Sequence, residues 1–507
     1  MPDRRHFLQQ LSALGLGAVA GTRVRPRIRF AGDPFTLGVA SGDPWPDGFV
    51  LWTRLAPDPL NGGGMGPEDV MVRWEVATDD AMRHVVRRGT AVAAADLAHA
   101  VHVTLRGLAP DRWYWYRFHA GEATSAVGRT RTMPARGAVP ARLRLVVASC
   151  QHYESGFYAA HAHLAREDAD LCTFLGDYIY ESSAVRRVRA HEAGEPTTLA
   201  EYRNRYACYK TDPQLQDAHA AMPWVVTWDD HEVDNNVAGL VSERSDPVQA
   251  FRLRRAAAYR AYYEHMPLRR SSLPHGPDML LYRSLEFGQL ARIHVLDGRQ
   301  YRSDQSCGDR QKAPCAEWDR ADRTMLGATQ ERWLSRGLVR PGGTWQVLAQ
   351  QVMMMPLDLD PGPGELFNMD SWSGYPAARR RLTSLLVERR LPNVVVLTGD
   401  VHAHYAGEVP VDWREPEAAR VAVEYVGTSI SSEGDGMDAY PQVERIRPST
   451  PWLKFHNARR GYIRCDITAD AWRSDYRVVP SIQTARAPIT TVASFVTPAG
   501  RSVVERA

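Results

Sequence analysis

The stretch TFLGDYIY at residues 173–180 runs from an apolar segment directly into a cluster of acidic and aromatic side chains. Two distant stretches repeat this arrangement, VVTWDDHEVDNN at residues 225–236 and VVVLTGDVHAH at residues 394–404. In open α/β sheets, ligands bind just beyond the carboxyl ends of the strands. Three such ends that carry carboxylates and imidazoles therefore predict one shared crevice that holds metal ions.

The aspartates of these stretches are the first candidates for metal ligands. Asp177 follows a glycine at a predicted strand end, where the backbone can approach a ligand closely and a carboxylate can bridge two cations. A single Gly-Asp pair is common, and an aspartate that caps a turn is the alternative interpretation. The pair recurs at Asp400, which is followed by His402, and Asp230 with His231 adds a third group. The combination favours a metal site over three unrelated turns.

Strand and helix patterns alternate from residue 142 to residue 507. Apolar runs at residues 143–148, 171–175, 293–297 and 394–397 predict strands, whereas residues 251–263 and 377–388 have helical spacing. This alternation predicts an α/β or α+β domain with a central mixed β-sheet flanked by helices.

Residues 33–135 have an all-β pattern instead. Strands are predicted at residues 36–40, 49–55, 70–77, 100–105 and 113–118, with a turn-rich stretch at 42–48. The run LAPDRWYWYRF at residues 108–118 resembles the corner of a fibronectin type III module. We therefore expect a fibronectin III-like β-sandwich domain, joined to the larger domain by a linker at residues 136–140.

The first 30 residues have the order of an export signal and the start of a mature chain. Arg4 and Arg5 precede a short apolar stretch at residues 11–20, and Ala18 and Ala20 fit a signal-peptidase site. The alternative is a chance arginine pair in an arginine-rich chain. The order of the elements favours a twin-arginine signal and export by that machinery to the periplasm, the cell wall or the medium. We find no later segment that could anchor the chain in a membrane.

Composition narrows the function classes further. A length of 507 residues predicts more than one domain. The net charge of +3 is too small to indicate nucleic-acid binding. We also expect the protein to be a monomer. Six cysteines are too few for a disulfide framework, although Cys307 and Cys315 flank a polar loop closely enough to form one disulfide.

The motifs depart from the common calcineurin-like metallophosphoesterase pattern. That pattern has Gly-Asn-His-Glu in its middle block, where this chain has WDDHE at residues 228–232. Its Asp-x-His block is missing, and the equivalent strand end has SCQH at residues 149–152. Tyr180 is a further unusual residue. These differences suggest that a thiolate and a phenolate act as metal ligands.

Such a combination is typical of the PhoD-like alkaline phosphatase and phosphodiesterase family, and the chain resembles that family over nearly its whole length. The resemblance rests on TLGVASGD at residues 36–43, VLWTRL at 50–55, ASCQ at 148–151, LGDYIYE at 175–181, TWDDHEV at 227–233 and LTGDVH at 397–402. It implies a calcineurin-like metallophosphoesterase domain at residues 142–507, built as a double-sheet sandwich.

The resemblance also implies a set of metal ligands. One ferric ion would be held by Cys150, Asp177, Tyr180 and Asp400, because anionic thiolate, phenolate and carboxylate groups suit a trivalent ion. One or two calcium ions would be held by Asp177, Asp230 and Asn235, since hard cations prefer oxygen ligands. Asn236 could replace Asn235, and zinc or manganese fits these donors less well.

Other residues are implied to act on the substrate. His402 is either a neighbour of the iron or a donor to the phosphoryl oxygens, and we favour the second role. His231 would shield phosphoryl charge, donate to a leaving group or orient another residue. Arg299, and with it Arg302, could clamp a phosphate, with a surface salt bridge as the alternative for either, and Asn235 could also bind the substrate.

The resemblance thus predicts an exported, metal-dependent alkaline phosphatase that hydrolyses phosphate monoesters, diesters or both through a metal-activated hydroxide. A phospholipase D-type phosphodiesterase of the same fold is the alternative. A serine hydrolase is disfavoured because the chain has no Gly-x-Ser-x-Gly motif. A non-enzymatic surface-binding protein would explain the N-terminal region but not the acidic clusters.

Overall fold

The computed structural model describes residues 29–191, 193–415 and 417–507. The predicted export signal, from Arg4 to Ala20, lies outside these ranges. Within the ranges, every helix is too short or too polar to cross a membrane.

The N-terminal region forms two facing layers of strands. Its strands are β1 (Val39–Trp45), β2 (Gly48–Arg54), β3 (Val70–Ala77), β4 (Val85–Ala93), β5 (Ala100–Thr104), β6 (Trp113–Ala120), β7 (Ala123–Thr124) and β8 (Gly128–Arg131). One layer has the order β1-β2-β5, and the other has the order β4-β3-β6-β7 with β8 paired to β6. Leu51 and Val101 from the first layer pack against Val72, Val76 and Phe118 from the second, so alternate residues of these strands form a shared core.

The rest of the chain contributes the remaining strands and the helices. The strands are β9 (Leu143–Ala148), β10 (Leu171–Leu175), β11 (Trp224–Thr227), β12 (Arg283–Phe287), β13 (Ala291–Val295), β14 (Gln311–Lys312), β15 (Trp345–Ala349), β16 (Phe367–Asn368), β17 (Val394–Thr398), β18 (His404–Pro410), β19 (Arg420–Val426), β20 (Leu453–Asn457), β21 (Gly461–Ile467), β22 (Ala471–Val478), β23 (Thr490–Pro498) and β24 (Glu505–Arg506). The helices are α1 (Ala159–Leu164), α2 (Leu199–Lys210), α3 (Pro213–Ala221), α4 (Val248–His265), α5 (Gly327–Leu338), α6 (Pro376–Glu388) and α7 (Pro441–Ile446).

Two mixed sheets dominate the architecture. One has the order β24-β23-β22-β21-β9-β10-β11-β1-β2-β5, and the other has the order β12-β13-β15-β17-β19-β18-β20. Strands β9, β10 and β11 run parallel, as do β13, β15, β17 and β19. Val147 and Leu175 of the first sheet pack against Ile293, Val347 and Leu397 of the second. The expected mixed α/β content is confirmed, and the strands lie in two stacked sheets.

The N-terminal sandwich shares a sheet with the rest of the chain. Strand β1 pairs in parallel with β11, so the first large sheet runs without a break from one region into the other. Side chains reinforce this junction, because Trp52 Nε1 donates to the Glu264 carbonyl over 3.0 Å. Arg283 Nη2 also lies 2.7 Å from the buried Asp43 carboxylate. The sequence pattern predicts the strands of the N-terminal region, but it does not predict that β1 pairs with β11.

Candidate metal centre

The predicted ligands lie at the carboxyl ends of parallel strands in both sheets. Cys150 follows β9, Asp177 follows β10, Asp230 follows β11, and Asp400 follows β17. Cys150, Asp177 and Asp400 have positive φ angles of 58°, 54° and 65°. Such left-handed conformations are costly for residues with a side chain and cluster at functional sites.

Gly176 allows the β10 end to approach the β11 end. Its φ is 106°, and a Cβ atom at this position would collide with Asp229. A residue with a side chain would therefore push Asp177 away from the β11 loop. This explains why glycine precedes the candidate bridging aspartate.

These strand ends border a cavity of about 400 Å³. Its lining includes Asp177, Asp230, His231, Asp400 and His402. Cys150 and Tyr180 are not part of the lining, and their side chains are buried, with exposed fractions of 1% and 3%. The structure thus brings all three predicted stretches together at one cavity.

One group of potential ligands surrounds Cys150 and Tyr180. Tyr180 Oη donates a hydrogen bond of 2.8 Å to Asp177 Oδ2 and lies 2.9 Å from His402 Nε2. Ligand atoms of Cys150, Asp177 and His402 lie within 4.8 Å of one another. Ser432 Oγ lies 2.8 Å from Tyr180 Oη and 2.9 Å from the Cys150 carbonyl, so it fixes both residues.

A second group shares Asp177 with the first. Ligand atoms of Asp177, Asp230 and His231 also lie within 4.8 Å of one another. Asn235 and Asn236 both line the adjoining cavity wall. The backbone N–H of Asn236 donates to Asp230 Oδ2 over 2.7 Å, whereas the side-chain Nδ2 of Asn235 donates to Glu243. Asp177 is therefore in a position to bridge two cations.

An unpartnered carboxylate oxygen and several raised pKa values indicate that these potential ligands are suited to hold cations. Asp177 Oδ1 is buried and has no hydrogen-bond partner among the described residues. Burial, and then the charge of Asp177, raises the pKa values of Cys150 and Tyr180 well above their ordinary values. Burial, and then the charge of Asp370, raises the pKa of Asp400 to about 7. A bound cation would stabilise the ionised forms of all these groups, since it is the largest local charge in such a site.

The two candidate catalytic histidines have different surroundings. His231 Nδ1 lies 2.7 Å from Glu181 Oε2, which leaves Nε2 available to a substrate in the cavity. His402 is held at both ring nitrogens, because Nδ1 lies 3.2 Å from Glu433 Oε2 and Nε2 faces Tyr180. Burial lowers the pKa of His402, but hydrogen bonds to Asp177 and Glu433 outweigh it and raise the pKa to about 9. The contacts favour His402 as a neighbour of the candidate metal site around Cys150 and Tyr180 rather than as a donor to substrate.

Arg299 does not have the phosphate-binding geometry that we expected from the sequence. Its side chain is 1% exposed and is absent from the described residues that line the cavity. Its Nε donates to Asp229, and its Nη1 donates to Asp370 Oδ1 over 2.9 Å. Arg302 pairs with the same Asp370. Salt bridges therefore account for both arginines, although they are buried and not on the surface as the alternative interpretation had them.

The remaining guanidinium nitrogen of Arg299, Nη2, faces the candidate ligands. Nη2 lies 3.8 Å from Asp230 Oδ2 and 3.6 Å from Asp400 Oδ1. Arg299 is thus a buried positive charge beneath the acidic cluster, where it stabilises the ionised carboxylates and fixes their orientation.

Glu232 is a positioning residue whose role was not predicted from the sequence. Its carboxylate accepts hydrogen bonds from the backbone N–H groups of Asp177, Tyr178 and Asp229 at 3.1, 2.7 and 2.9 Å. It therefore ties the loop after β10 to the loop after β11. Burial, followed by the charge of Asp177, raises its pKa to about 8. Its position inside the WDDHE motif is the sequence feature from which a role at the site could have been predicted.

A disulfide-closed loop forms part of the cavity rim. Cys307 and Cys315 are joined with a Cα–Cα distance of 5.7 Å, and Gln311 between them lines the cavity. Asn236 Nδ2 donates to Asp309 Oδ2 over 2.8 Å. The disulfide therefore holds a loop that contacts the segment next to Asp230.

Comparison with known proteins identifies the family. The model of the PhoD-like phosphatase matches residues 145–476, and the model of the PhoD-like phosphatase N-terminal domain matches residues 21–134. The chain is 49% identical to the alkaline phosphatase D of Bacillus subtilis (strain 168), over 97% of this chain and 87% of that protein. A solved structure described as "Structure of PhoD" superposes with a TM-score of 0.93 at 49% identity, covering 94% of this chain and 93% of that one. The chain therefore belongs to the PhoD-like phosphatase family, and the resemblance predicted from its motifs is confirmed.

Proposed function

We propose that this phosphatase is an exported, metal-dependent enzyme that hydrolyses phosphate esters in the cavity beside Asp177. The observation that carries the proposal is the convergence of thiol, phenol, carboxylate and imidazole groups from four strand ends. Hydrolase activity follows from family membership. The metals, the export route and the substrate preference are the proposed parts.

The proposed ferric ligands are Cys150, Asp177, Tyr180 and Asp400. Their support is the short separation of the Cys150, Asp177 and Tyr180 side chains and the anionic character of all four when ionised. The proposed calcium ligands are Asp177, Asp230 and Asn235, whose oxygen atoms suit a hard cation. Asn236 remains the alternative to Asn235, because both line the cavity.

A metal pair bound by these residues would supply a hydroxide nucleophile near neutral pH and stabilise charge on the phosphoryl oxygens. In the net reaction, water oxygen bonds to phosphorus, the P–O bond to the alcohol breaks, and the alcohol leaves with a proton. His231 is the residue we assign to a phosphoryl or leaving-group oxygen, because Glu181 holds its Nδ1 side and leaves Nε2 available. His402 positions Tyr180.

A phospholipase D-type phosphodiesterase is the second candidate. The same ligand set serves monoesters and diesters, so the distinction depends on the cavity wall and not on the metals. Family membership excludes the purely surface-binding alternative.

Metal analysis combined with kinetics tests the proposal. We expect iron and calcium in the purified protein, loss of hydrolysis of 4-nitrophenyl phosphate and bis(4-nitrophenyl) phosphate after chelation, and recovery when both metals return. Asp177→Asn should remain inactive after this treatment. Asp322→Asn, which changes an exposed aspartate paired with Arg320, is the matched control and should behave like the wild type. Full activity after complete removal of metal would contradict the proposal.

Export through the twin-arginine machinery is tested separately. Replacing Arg4 and Arg5 by lysine keeps the charge but should trap unprocessed protein in the cytoplasm. Normal export of that variant would favour the general secretory route.

A further inference from the structure

Ser432 is a buried residue whose side chain contacts two of the proposed ferric ligands at once. Its Oγ lies 2.8 Å from Tyr180 Oη and 2.9 Å from the Cys150 carbonyl oxygen. The residue is 1% exposed and lies in the loop after β19, which supplies none of the proposed metal ligands. Ser432 is absent from the described residues that line the cavity, so it approaches Tyr180 from the protein side.

The loop after β19 holds Ser432 in place by contacts other than the one to Tyr180. Ser429 Oγ donates to the carbonyl oxygen of Ser432 over 3.2 Å. The neighbouring Ser431 Oγ donates to the His152 carbonyl over 2.9 Å, which ties this loop to the loop after β9. The Ser432 hydroxyl is therefore fixed beside Tyr180 Oη by its own loop. A donor that is already in place can stabilise a charge that forms there.

The phenol of Tyr180 is held just as firmly. Its ring lies between two imidazoles, with centroid distances of 4.1 Å to His231 and 4.4 Å to His152. Its backbone N–H donates to Tyr209 Oη over 3.0 Å. Because the ring and the backbone are both fixed, Oη cannot easily move away from Ser432.

The hydrogen bonds of Tyr180 Oη depend on whether the phenol has its proton. Among the described residues, Oη lies 2.8 Å from Asp177 Oδ2, 2.9 Å from His402 Nε2 and 2.8 Å from Ser432 Oγ. A protonated phenol donates to the Asp177 carboxylate. An ionised phenolate can only accept, and a carboxylate has no proton to give. Loss of the phenol proton therefore removes the bond to Asp177 and leaves Ser432 as a hydroxyl donor.

The Ser432 hydroxyl has one proton and two acceptors for it, the Cys150 carbonyl and Tyr180 Oη. A hydrogen bond to an ionised oxygen is roughly twice as strong as one between neutral groups. The proton is therefore drawn to Oη once Tyr180 is ionised.

We propose that Ser432 is a positioning residue that donates its hydroxyl proton to the Tyr180 phenolate and so limits the electron density that the phenolate gives to the ferric ion. This inference rests on the ferric site of the proposed function and adds a residue that tunes it. The alternative is a purely structural serine that donates only to the Cys150 carbonyl.

The visible absorption of the iron-loaded protein tests the inference. A ferric phenolate absorbs by transfer of charge from the phenolate to the iron, and a hydrogen bond that stabilises the phenolate raises the energy of this transfer. Ser432→Ala should therefore move the band to longer wavelength by about 20 nm, the size expected for loss of one hydrogen bond to a charged group. Iron affinity, measured by competition with a chelator, should fall about tenfold.

Two further variants of Ser432 make the test independent of one substitution. Ser432→Gly removes the same hydroxyl and should shift the band in the same direction. Ser432→Thr keeps a hydroxyl group and should keep the wild-type band, which a change in packing alone would not predict.

Ser431→Ala is the matched control. Ser431 is also buried and lies in the same loop, but its hydroxyl donates to the His152 carbonyl instead of contacting Tyr180. In urea unfolding after chelation, Ser431→Ala and Ser432→Ala should lose similar stability, because each lacks one buried hydrogen bond to a carbonyl. The band of Ser431→Ala should not move.

The outcomes separate this inference from the proposed function. A coloured Ser432→Ala with the wild-type band, a shift to shorter wavelength, or an equal shift in Ser431→Ala would overturn the tuning role and leave the ferric phosphoesterase proposal intact. A wild-type protein that takes up no ferric iron would refute the ferric site of the proposed function and the tuning role together.

Discussion

Replacing Arg299 with methionine should destabilise the protein by about 3–5 kcal/mol. Methionine has a similar length and keeps much of the apolar contact, so the change removes mainly the guanidinium. The variant leaves Asp229 without its buried guanidinium partner, whereas Asp370 keeps its salt bridge to Arg302. It also removes the positive charge 3.8 Å from Asp230 and 3.6 Å from Asp400.

The magnitude follows from burial rather than from the number of ion pairs. A buried carboxylate that loses its partner bears the cost of desolvation without compensation, and such losses measure about 3–5 kcal/mol. An exposed pair is worth about 1 kcal/mol or less, because water solvates both charges. Arg459 and Asp438 form such an exposed pair, so Arg459→Met is the matched control.

The assay is urea unfolding of both variants and the wild type in the presence of a chelator, so that metal binding does not contribute. Asp229→Asn combined with Arg299→Met should be less destabilised than the sum of the single variants, since the uncompensated charge is gone. If Arg299→Met lost less than about 1 kcal/mol, or no more than Arg459→Met, the role of Arg299 as the internal counter-charge would be wrong.

Three further predictions concern metals, colour and pH. Asp177→Asn should weaken both metal sites together, whereas Asp230→Asn should mainly lower calcium content; retention of both ions in Asp177→Asn, measured by metal analysis, would exclude it as the bridge. A ferric phenolate absorbs visible light, so the iron-loaded protein should be coloured and Tyr180→Phe should lose the band; an unchanged spectrum would remove Tyr180 from the ligand set. Burial lowers the pKa of Lys210 from 10.5 to about 7 in the folded protein. Between these two pH values the unfolded chain binds one more proton than the folded chain, so the free energy of unfolding should rise with pH in that window. Lys210→Met should flatten this rise in urea midpoints, and an equally steep rise would contradict the buried charge.

The buried parallel strands were the most predictable part of the fold. Strands β9 and β10 have the predicted bounds, because short apolar runs bounded by polar loops suit fully buried strands. Strand β1 of the N-terminal region was less predictable. Residues 42–48 have turn composition, yet Gly42 lies within β1 and contacts the Trp224 backbone so closely that a Cβ atom would be 2.6 Å from its carbonyl oxygen. Strand β4 was missed because most of it is exposed or half-buried and its middle contains Arg87, Arg88 and Gly89.

The site divides in the same way between local and distant information. The acidic motifs could be found in the sequence because Asp177, Asp230 and Asp400 each follow their own strand by two or three residues. The roles of Arg299 and Glu232 depend on contacts between loops that are 55 to 71 residues apart in the chain. The apolar part of the cavity lining, which includes Met355, Leu357 and Val443, has no sequence motif, because these side chains come from the loop after β15 and from α7, which meet only in the folded protein.

The position of β9 has a consequence for the order in which the chain can fold during synthesis. Strand β9 lies between β10 and β21, and Val147 pairs with Ile463, so one of its neighbours is made more than 300 residues later. The loop with Cys150 is likewise closed by hydrogen bonds from Ile430 and Ser431. A nascent chain therefore cannot complete the Cys150 side of the candidate metal centre until its C-terminal part has left the ribosome. Assembly of this side of the cavity is then a late, post-translational event that follows closure of the sheet.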